Sequence, residues 1–175
     1  MSRSPQKERL FSSREIQQRV GELARTLSED YRDRDLLMIG VLKGAFMFMA
    51  DLAKRMTIPF RMDFVRLASY QGSESRGRIQ VIKPVELPVA GKDVLIVEDI
   101  VDTGLTLDFF RRSLKEGRPR SIKICAFIDK GERRELPVAI DYLGFQVPEG
   151  FLVGYGLDYD EQYRHLPAVY RLHLG

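Results

Sequence analysis

The sequence predicts an α/β fold with a mostly parallel central sheet flanked by helices and a small hood lobe from the C-terminal segments. Two apolar segments, residues 36–42 and 94–97, are continuous rather than alternating, as is typical of parallel strands covered on both faces. SIKICAFIDK at 121–130 is predicted to be the next buried strand. The first two are each followed by a short turn and then by apolar residues at helical spacing. Strands and helices in this order form right-handed β-α-β units.

The composition indicates a single domain over residues 1–175, with the hood lobe contributed mainly by 138–175. Hydrophobic residues make up 44% of the chain and charged residues 30%, the balance expected of a globular domain with an adequate core. No apolar run approaches the length of a transmembrane helix, and MSRSPQKERL lacks the apolar core of a signal peptide. We therefore expect a cytoplasmic protein with no membrane partner.

Charge and cysteine content exclude several kinds of site. The net charge of +3 is compatible with an anionic substrate or with weak attraction to nucleic acid, but the basic residues are scattered, so we expect no nucleic-acid partner. Cys125 lies in an apolar strand and is interpreted as a core residue. With only His165 and His173 beside it, the chain cannot build a structural zinc site and has little room for a Cys-His centre.

The N-terminal elements are structural. Residues 1–11 are polar and are expected to be frayed. Ser12 and Glu15 fit a capping box, which begins a helix predicted over 13–29 with its apolar residues on one face.

The strand at 36–42 ends at Lys43 and Gly44, where the next helix begins. A turn between a strand and a helix N-terminus is a candidate anion site. The alternative is an ordinary turn with a solvent-facing lysine.

Phe60, Met62 and Phe64 alternate with polar residues, which predicts a strand covered on one side or at an edge. The stretch QGSESRGR that follows is rich in glycine, serine and charge. We expect a mobile loop over about 69–79.

The segment VLIVEDIVDTGLTL at 94–107 carries the main functional signal. Glu98 and Asp99 end a buried strand at the carboxyl edge of the sheet, where open α/β folds bind ligands. Vicinal acids can bind ribose hydroxyls or hold Mg²⁺ through water. Alone, a strand ending in two acids could equally be a core strand with a solvated edge.

The turn after these acids suits a phosphate group. Its hydroxyl and glycine residues are Thr103, Gly104 and Thr106, and a helix predicted over 105–116 follows directly. The helix N-terminus offers unpaired N–H groups and a positive dipole end, and the glycine lets a ligand approach the backbone. Together, the acids and the turn predict a site for a ribose 5-phosphate with a metal nearby.

The next strand ends at Asp129 and Lys130. Beyond it, AIDYLGFQV and FLVGYGLDYDEQYRHL are rich in aromatic residues and are joined by residues 148–150. We expect them to form the hood lobe beside the carboxyl edge, where a flat base could lie.

Two stretches carry a family resemblance. EDIVDTG resembles the phosphoribosyl pyrophosphate (PRPP) signature of type I phosphoribosyltransferases, and of their hypoxanthine-guanine branch in particular. VPEGFLVGYGLDYDEQYRHL resembles the C-terminal signature of the same branch, so the likeness spans roughly residues 36–166. It implies the type I fold, transfer of 5-phosphoribosyl from PRPP to N9 of hypoxanthine or guanine, and Mg²⁺ as cofactor.

The resemblance also implies how PRPP is bound. Residues implied for its ribose and 5-phosphate are Glu98, Asp99, Asp102, Thr103, Gly104 and Thr106; those for its pyrophosphate are Lys43, Gly44 and Arg164. The Leu42–Lys43 peptide can be cis in the family. Metal is implied at Glu98 and Asp99, with a second Mg²⁺ at Asp158. Ser69 and Tyr70 match the serine-tyrosine pair of a lid loop that shields the reaction from water.

Purine recognition is implied for Lys130, Phe151, Leu152 and Asp158. Phe151 would stack on the base and Leu152 would offer backbone hydrogen bonds. Leu152 and Gly156 replace a valine and an alanine common in relatives, which could shift pocket width and base preference. The plainer alternative places Phe151 in the core and makes Asp158 and Arg164 a surface ion pair.

By the same resemblance, Asp102 is the general base for purine N7 and Lys130 donates to O6, which predicts rejection of adenine. Two alternatives stay open: a xanthine-preferring phosphoribosyltransferase, and a PRPP-sensing, RNA-binding regulator without catalytic activity. The family also implies a homodimer or homotetramer.

Overall fold

The computed structural model describes residues 6–72 and 75–173, with the side chains of 69–78 outside the description. Its elements are, in chain order, β1 Gln6–Phe11, α1 Ser13–Asp30, β2 Leu36–Leu42, α2 Phe46–Arg55, β3 Arg61–Gly72, β4 Ser75–Lys83, β5 Asp93–Val101, α3 Leu105–Glu116, β6 Ser121–Lys130, β7 Tyr142–Val147, β8 Phe151–Val153 and β9 Val169–His173.

Six strands form the central sheet in the order β4-β3-β2-β5-β6-β7. All neighbouring pairs are parallel except β3 and β4, which form an antiparallel hairpin at one edge. The predicted α/β class with a mostly parallel sheet is thus confirmed. A second, three-stranded antiparallel sheet has the order β1-β9-β8.

Continuous apolar strands are explained by helices on both faces of the sheet. In β2, Met38 packs into the core on the side of α1 and α2, whereas Leu37 and Ile39 pack into the core on the side of α3. In β5, Leu95 packs on the side of α1 and α2, and Ile96 packs on the side of α3. Successive side chains of a strand point to opposite faces, so a strand covered twice has no polar face.

The observed helices lie close to the positions predicted from the sequence. Ser12 and Glu15 form the predicted capping box at the start of α1, and α1 ends at Asp30. The third helix occupies the predicted residues, with Gly104 before it and Gly117 after it. Among the described residues, none of the helices combines the length and the apolar character needed to cross a membrane.

The structure differs from the expected frayed end at residues 6–11. These residues form β1, which pairs antiparallel with β9 at the far end of the chain. Their polar composition is compatible with a strand because β1 is an edge strand with largely exposed side chains. Only the distant partner provides its backbone hydrogen bonds.

The range expected to be a mobile loop lies largely in the hairpin of β3 and β4. Ser69 pairs with Ile79 and Tyr70 with Arg78. The side chains of Ser69 and Tyr70, and residues 73–74, lie outside the described part of the chain. Within the range expected for the hood lobe, β7 pairs with β6 and forms the edge of the central sheet, whereas β8 and β9 belong to the small sheet.

Candidate active site

The carboxyl ends of β2, β5 and β6 meet at one edge of the central sheet because these strands are neighbours and parallel. Lys43 and Gly44 follow β2, the acidic pair Glu98 and Asp99 lies near the end of β5, and Lys130 ends β6. Three segments that are far apart in sequence therefore converge where α/β folds bind ligands.

Glu98 and Asp99 form an acidic pair in which Glu98 is buried and Asp99 is half-buried. The Glu98 side chain accepts a hydrogen bond from the Asp99 backbone N–H at 3.1 Å, and Asp99 Oδ1 accepts one from Ile100 N–H at 2.9 Å. Burial raises the pKa of Glu98, and the neighbouring Asp99 charge raises it further. Burial also raises the pKa of Asp99. Arg164 offsets only part of this effect at Asp99, and Glu98 has no cation beside it. The pair therefore suits a ligand that supplies a cation or hydroxyl donors.

Two glycines permit a close approach of three segments. A Cβ atom at Gly44 would overlap the Asp99 carboxylate, and a Cβ atom at Gly156 would overlap the carbonyl oxygen of Gly44. Gly156 also has a φ of +97°. The peptide bond between Leu42 and Lys43 is cis, as the family resemblance implied. The turn after β2 is therefore held between the acidic pair and the hood segment.

The turn between β5 and α3 borders a cavity of about 230 Å³. Glu98, Asp102, Thr103, Gly104 and Thr106 are among its lining residues. Gly104 is the N-cap of α3 with φ +85° and provides no side-chain cap, which leaves N–H groups of the first helical turn for a ligand. Cavity size and donors suit a phosphate group.

Asp102 makes an asymmetric set of contacts. Its Oδ2 accepts a hydrogen bond from Arg133 Nε at 3.0 Å and another from Arg133 Nη2, and Lys130 Nζ lies 3.7 Å away. Its Oδ1 is buried and has no hydrogen-bond partner among the described residues. A buried acceptor without a partner is costly, so this oxygen is suited to a proton on a bound ligand.

Arg134 holds the main chain of the same turn. Its guanidinium donates to the carbonyl oxygens of Asp102, at 2.7 Å, and Val101, at 3.1 Å, and it also pairs with Asp129. The carbonyl oxygen of Thr103 accepts from two further backbone N–H groups, those of residues 135 and 136. The segment after β6 therefore fixes the position of Asp102.

A flat, partly apolar surface lies next to Lys130. Lys130 is 7% exposed and donates to the carbonyl oxygen of Gly150 at 3.1 Å. The next residue, Phe151, is 40% exposed and meets Tyr159 edge to face with ring centroids 5.3 Å apart. Leu152, the residue after Phe151, is buried. A planar base could stack on Phe151 within reach of Lys130.

Lys43 and Arg164 meet through a carboxylate that the sequence did not single out. Glu161 Oε2 lies 2.9 Å from Lys43 Nζ and 3.2 Å from Arg164 Nη2. Arg164 also pairs with Asp158 at 3.0 Å and donates to the carbonyl oxygen of Gly156 at 2.7 Å. The two cations implied for pyrophosphate therefore share one region, and Asp158 lies beside it.

The comparisons with known proteins match this arrangement. The model of the phosphoribosyl transferase domain family matches residues 6–160. The chain belongs to this family. It is 44% identical over 158 residues to a hypoxanthine phosphoribosyltransferase of Salmonella typhimurium, covering 89% of each chain, and 45% identical over 161 residues to a hypoxanthine-guanine phosphoribosyltransferase of Bacillus subtilis, covering 91% of this chain and 89% of the relative.

Solved structures give the same result. A hypoxanthine phosphoribosyltransferase of Staphylococcus aureus superimposes with a TM-score of 0.91 at 41% identity, covering 95% of this chain and 91% of that chain. The type I phosphoribosyltransferase fold is thus confirmed.

Magnesium, which the family resemblance implied, fits the acidic pair of this phosphoribosyltransferase. In the described ranges, no group of three or more His, Cys, Asp or Glu side chains surrounds a common point. Mg²⁺ does not require such a cage, since it usually keeps several waters and binds one or two carboxylates together with substrate phosphates. The neighbouring carboxylates of Glu98 and Asp99 at the carboxyl edge of the sheet meet that requirement.

Four residues of the site were missed from the sequence. Arg133 and Glu161 make long-range ion pairs, and Tyr159 contacts Phe151. Arg134 makes long-range hydrogen bonds to the main chain of the turn after β5. The local sequence gives little signal for the arginines or for Glu161, because exposed charged residues usually belong to a solvated surface. Tyr159 could have been found, since it lies in the aromatic-rich segment next to Asp158.

Proposed function

We propose that this phosphoribosyltransferase transfers the 5-phosphoribosyl group of PRPP to N9 of hypoxanthine or guanine, giving IMP or GMP and pyrophosphate in purine salvage. The relatives named above support this assignment at 44–45% identity over most of the chain. The observation that carries it is the proximity of Asp102 and Lys130, 3.7 Å apart, beside the phosphate-binding turn. These two groups are the base and the donor that attack by a 6-oxopurine requires.

PRPP binds along the carboxyl edge in this proposal. The turn at 103–106 receives the 5-phosphate through N–H groups at the start of α3, and Thr103 and Thr106 lie beside it. Glu98 and Asp99 orient the ribose hydroxyls. Their negative charge also favours the positive charge that develops on the sugar as its bond to pyrophosphate weakens.

The pyrophosphate group leaves towards Lys43, the backbone of Gly44, and Arg164. Mg²⁺ is proposed at Glu98 and Asp99 and a second ion at Asp158, and bound Mg²⁺ supplies neutralisation of the charge on the pyrophosphate. The chain itself contributes two cations near that position, since Lys43 and Arg164 contact the same carboxylate of Glu161.

The purine lies on Phe151 and receives hydrogen bonds from the backbone of Leu152, with Asp158 completing this part of the site. Lys130 donates to O6, and Asp102 accepts the proton that leaves N7 while N9 forms the new bond to the sugar carbon. The unpartnered Oδ1 of Asp102 supports its role as this acceptor. Adenine places an amino donor opposite Lys130, so we expect the enzyme to reject it.

Ser69 and Tyr70 belong to the proposed lid. Closure over the site would exclude water from the positively charged sugar, which otherwise reacts with water.

We also propose a homodimer or homotetramer, based on the family resemblance. Light scattering during size-exclusion chromatography would test it. A cytoplasmic location completes the proposal. It is compatible with a single free cysteine, Cys125, which is buried.

The decisive experiment supplies PRPP and Mg²⁺ with hypoxanthine, guanine, xanthine, adenine or uracil in separate reactions and measures the nucleotide formed. We expect product with hypoxanthine and guanine, and none with adenine. Efficient use of xanthine in preference to both would support the xanthine-preferring alternative. PRPP binding without product from any base would contradict an enzymatic role and favour a PRPP-sensing regulator.

A further inference from the structure

Glu161 is the common partner of two cations that lie far apart in sequence. Its Oε2 accepts hydrogen bonds from Lys43 Nζ at 2.9 Å, across 118 residues, and from Arg164 Nη2 at 3.2 Å. These are the two side chains proposed above for the pyrophosphate group. A carboxylate oxygen therefore already occupies the position between them.

The local backbone presents Glu161 to these cations. Asp160 and Glu161 both have positive φ, +51° and +58°, and the Glu161 N–H donates to Asp158 Oδ2 at 2.9 Å. Asp158 itself pairs with Arg164. The turn at 158–161 thus directs two carboxylates to the same arginine, and only Glu161 also reaches Lys43.

Glu161 is held by two ion pairs but remains accessible. Its carboxylate contacts both Lys43 and Arg164, and its side chain is 64% exposed. An exposed carboxylate is readily released, whereas a buried one would be a fixed part of the fold.

We propose that Glu161 is an internal competitor for the pyrophosphate group of PRPP, occupying Lys43 and Arg164 in the free protein and yielding them when the substrate binds. The inference rests on the proposed function, because it takes the pyrophosphate position from it. The competition lowers affinity for PRPP and for free pyrophosphate, and it keeps the two cations oriented before the substrate arrives.

The test compares the wild-type protein with Glu161→Gln, which preserves the shape of the side chain and removes its charge. Magnesium pyrophosphate is titrated into each protein by calorimetry, and initial rates are then measured with PRPP varied at saturating hypoxanthine. We expect pyrophosphate to bind about two- to fivefold more tightly to the variant, as exposed ion pairs imply, and KM for PRPP to fall by a similar factor. KM for hypoxanthine should stay near its wild-type value.

Asp160→Asn is the matched control. It removes the same charge one residue away, its side chain is exposed, and asparagine tolerates the positive φ at this position. Asp160 has no ion pair with Lys43 or Arg164 in the described structure. The affinity of the Asp160→Asn variant for pyrophosphate should therefore stay close to that of the wild type. An equal gain in pyrophosphate affinity in both variants would reveal a general effect of charge and would overturn the proposed competition by Glu161.

Salt gives a second readout. The difference in pyrophosphate affinity between wild type and Glu161→Gln should shrink from low to high ionic strength, because added ions screen the ion pairs of Glu161.

Unchanged or weaker pyrophosphate binding by Glu161→Gln overturns the inference, and so does a wild-type protein that does not bind pyrophosphate. If the wild-type protein still forms nucleotide in either case, the proposed function stands without the inference. If it forms no nucleotide from any base, the proposed function fails as well.

Discussion

Asp102 holds one carboxylate oxygen in contact with Arg133 and keeps the other buried without a partner among the described residues. The first contact orients the side chain. The second provides an acceptor that a protonated purine nitrogen can use. This asymmetry suits a general base whose position is fixed before the substrate arrives.

Asp102→Asn should lower kcat by about 10²- to 10⁴-fold, the usual contribution of a general base, because an amide cannot take the N7 proton. PRPP binding should be retained, since the phosphate turn is held by the backbone contacts of Arg134. Single-turnover rates and PRPP titrations would check this. Asp33→Asn, in the exposed turn after α1, is the control, and unchanged turnover in Asp102→Asn would remove Asp102 as the base.

Lys130→Ala should weaken recognition of the base more than that of PRPP. A hydrogen bond from a charged donor contributes about 1.5–3 kcal/mol, so KM for hypoxanthine should rise roughly 10- to 100-fold. The ratio of kcat/KM for hypoxanthine to that for adenine should also fall. Steady-state kinetics with each substrate varied would measure both effects, with Lys115→Ala at the exposed end of α3 as control. A larger loss for PRPP than for hypoxanthine would contradict the assignment.

At the scale of elements, Asp63 attaches the segment after β4 to β3. Its carboxylate accepts hydrogen bonds from the backbone N–H groups of Phe64, Glu86 and Leu87 at 2.6–2.8 Å. Burial raises the pKa of Asp63, but these three bonds and the nearby Lys83 outweigh burial and hold it below its usual range. A lowered pKa means that the charged form stabilises the fold.

Asp63→Asn should reduce the free energy of unfolding by about 1–3 kcal/mol at neutral pH, because the amide offers one acceptor oxygen in place of two. The folded-state pKa lies below the unfolded value of about 3.9, so the contribution of Asp63 is present above that pH and is lost as the pH falls through the folded-state pKa. Urea unfolding at pH 7 and at several acidic pH values would test this. A difference in stability between wild type and variant that stayed constant down to pH 2 would contradict it. Asp33→Asn, in the exposed turn after α1, is the control.

Sequence patterns predicted the elements well where they depend on local order. Apolar continuity identified β2, β5 and β6, and the capping box identified the start of α1. The same reasoning failed for β1, because its polar residues carry no apolar pattern and its strand depends on pairing with β9. Long-range pairing of an exposed edge leaves almost no trace in local sequence.

At the scale of the whole molecule, one side chain links the hood segment to the helices behind the sheet. The Tyr155 hydroxyl donates to Asp51 Oδ2 in α2 at 2.8 Å, and Gln17 of α1 donates to the same oxygen at 2.8 Å. Tyr155 precedes Gly156, which packs against Gly44. The network therefore connects the hood segment to the turn proposed to bind pyrophosphate.

Tyr155→Phe should lower the free energy of unfolding by about 0.5–1.5 kcal/mol, the net value of one hydrogen bond, while preserving the packed ring. Denaturant unfolding would measure the change. Tyr170→Phe on β9 is a control of the same chemistry, since the described structure gives its hydroxyl no hydrogen bond. Equal stability of wild type and Tyr155→Phe would show that the link to Asp51 contributes nothing.

The sequence by itself determined the fold class, the family, and the strand-turn-helix that carries the acidic pair and the turn proposed to bind phosphate. These features are local, because residues 94–107 are contiguous and their periodicity dictates where side chains point. Lys43 and Lys130 lie at strand ends, which a parallel sheet brings to one edge, whereas the roles of Asp102 and Lys130 came from the family resemblance.

Only the tertiary structure decided which charges meet at that edge. Lys43 and Glu161 are 118 residues apart, and Asp102 and Arg133 are 31 apart, so no local pattern relates them. The small sheet likewise joins the two ends of the described chain. The physical reason is that ion pairs and edge-strand pairing depend on the position of a distant partner, whereas helices, caps and buried strands depend on neighbours in sequence.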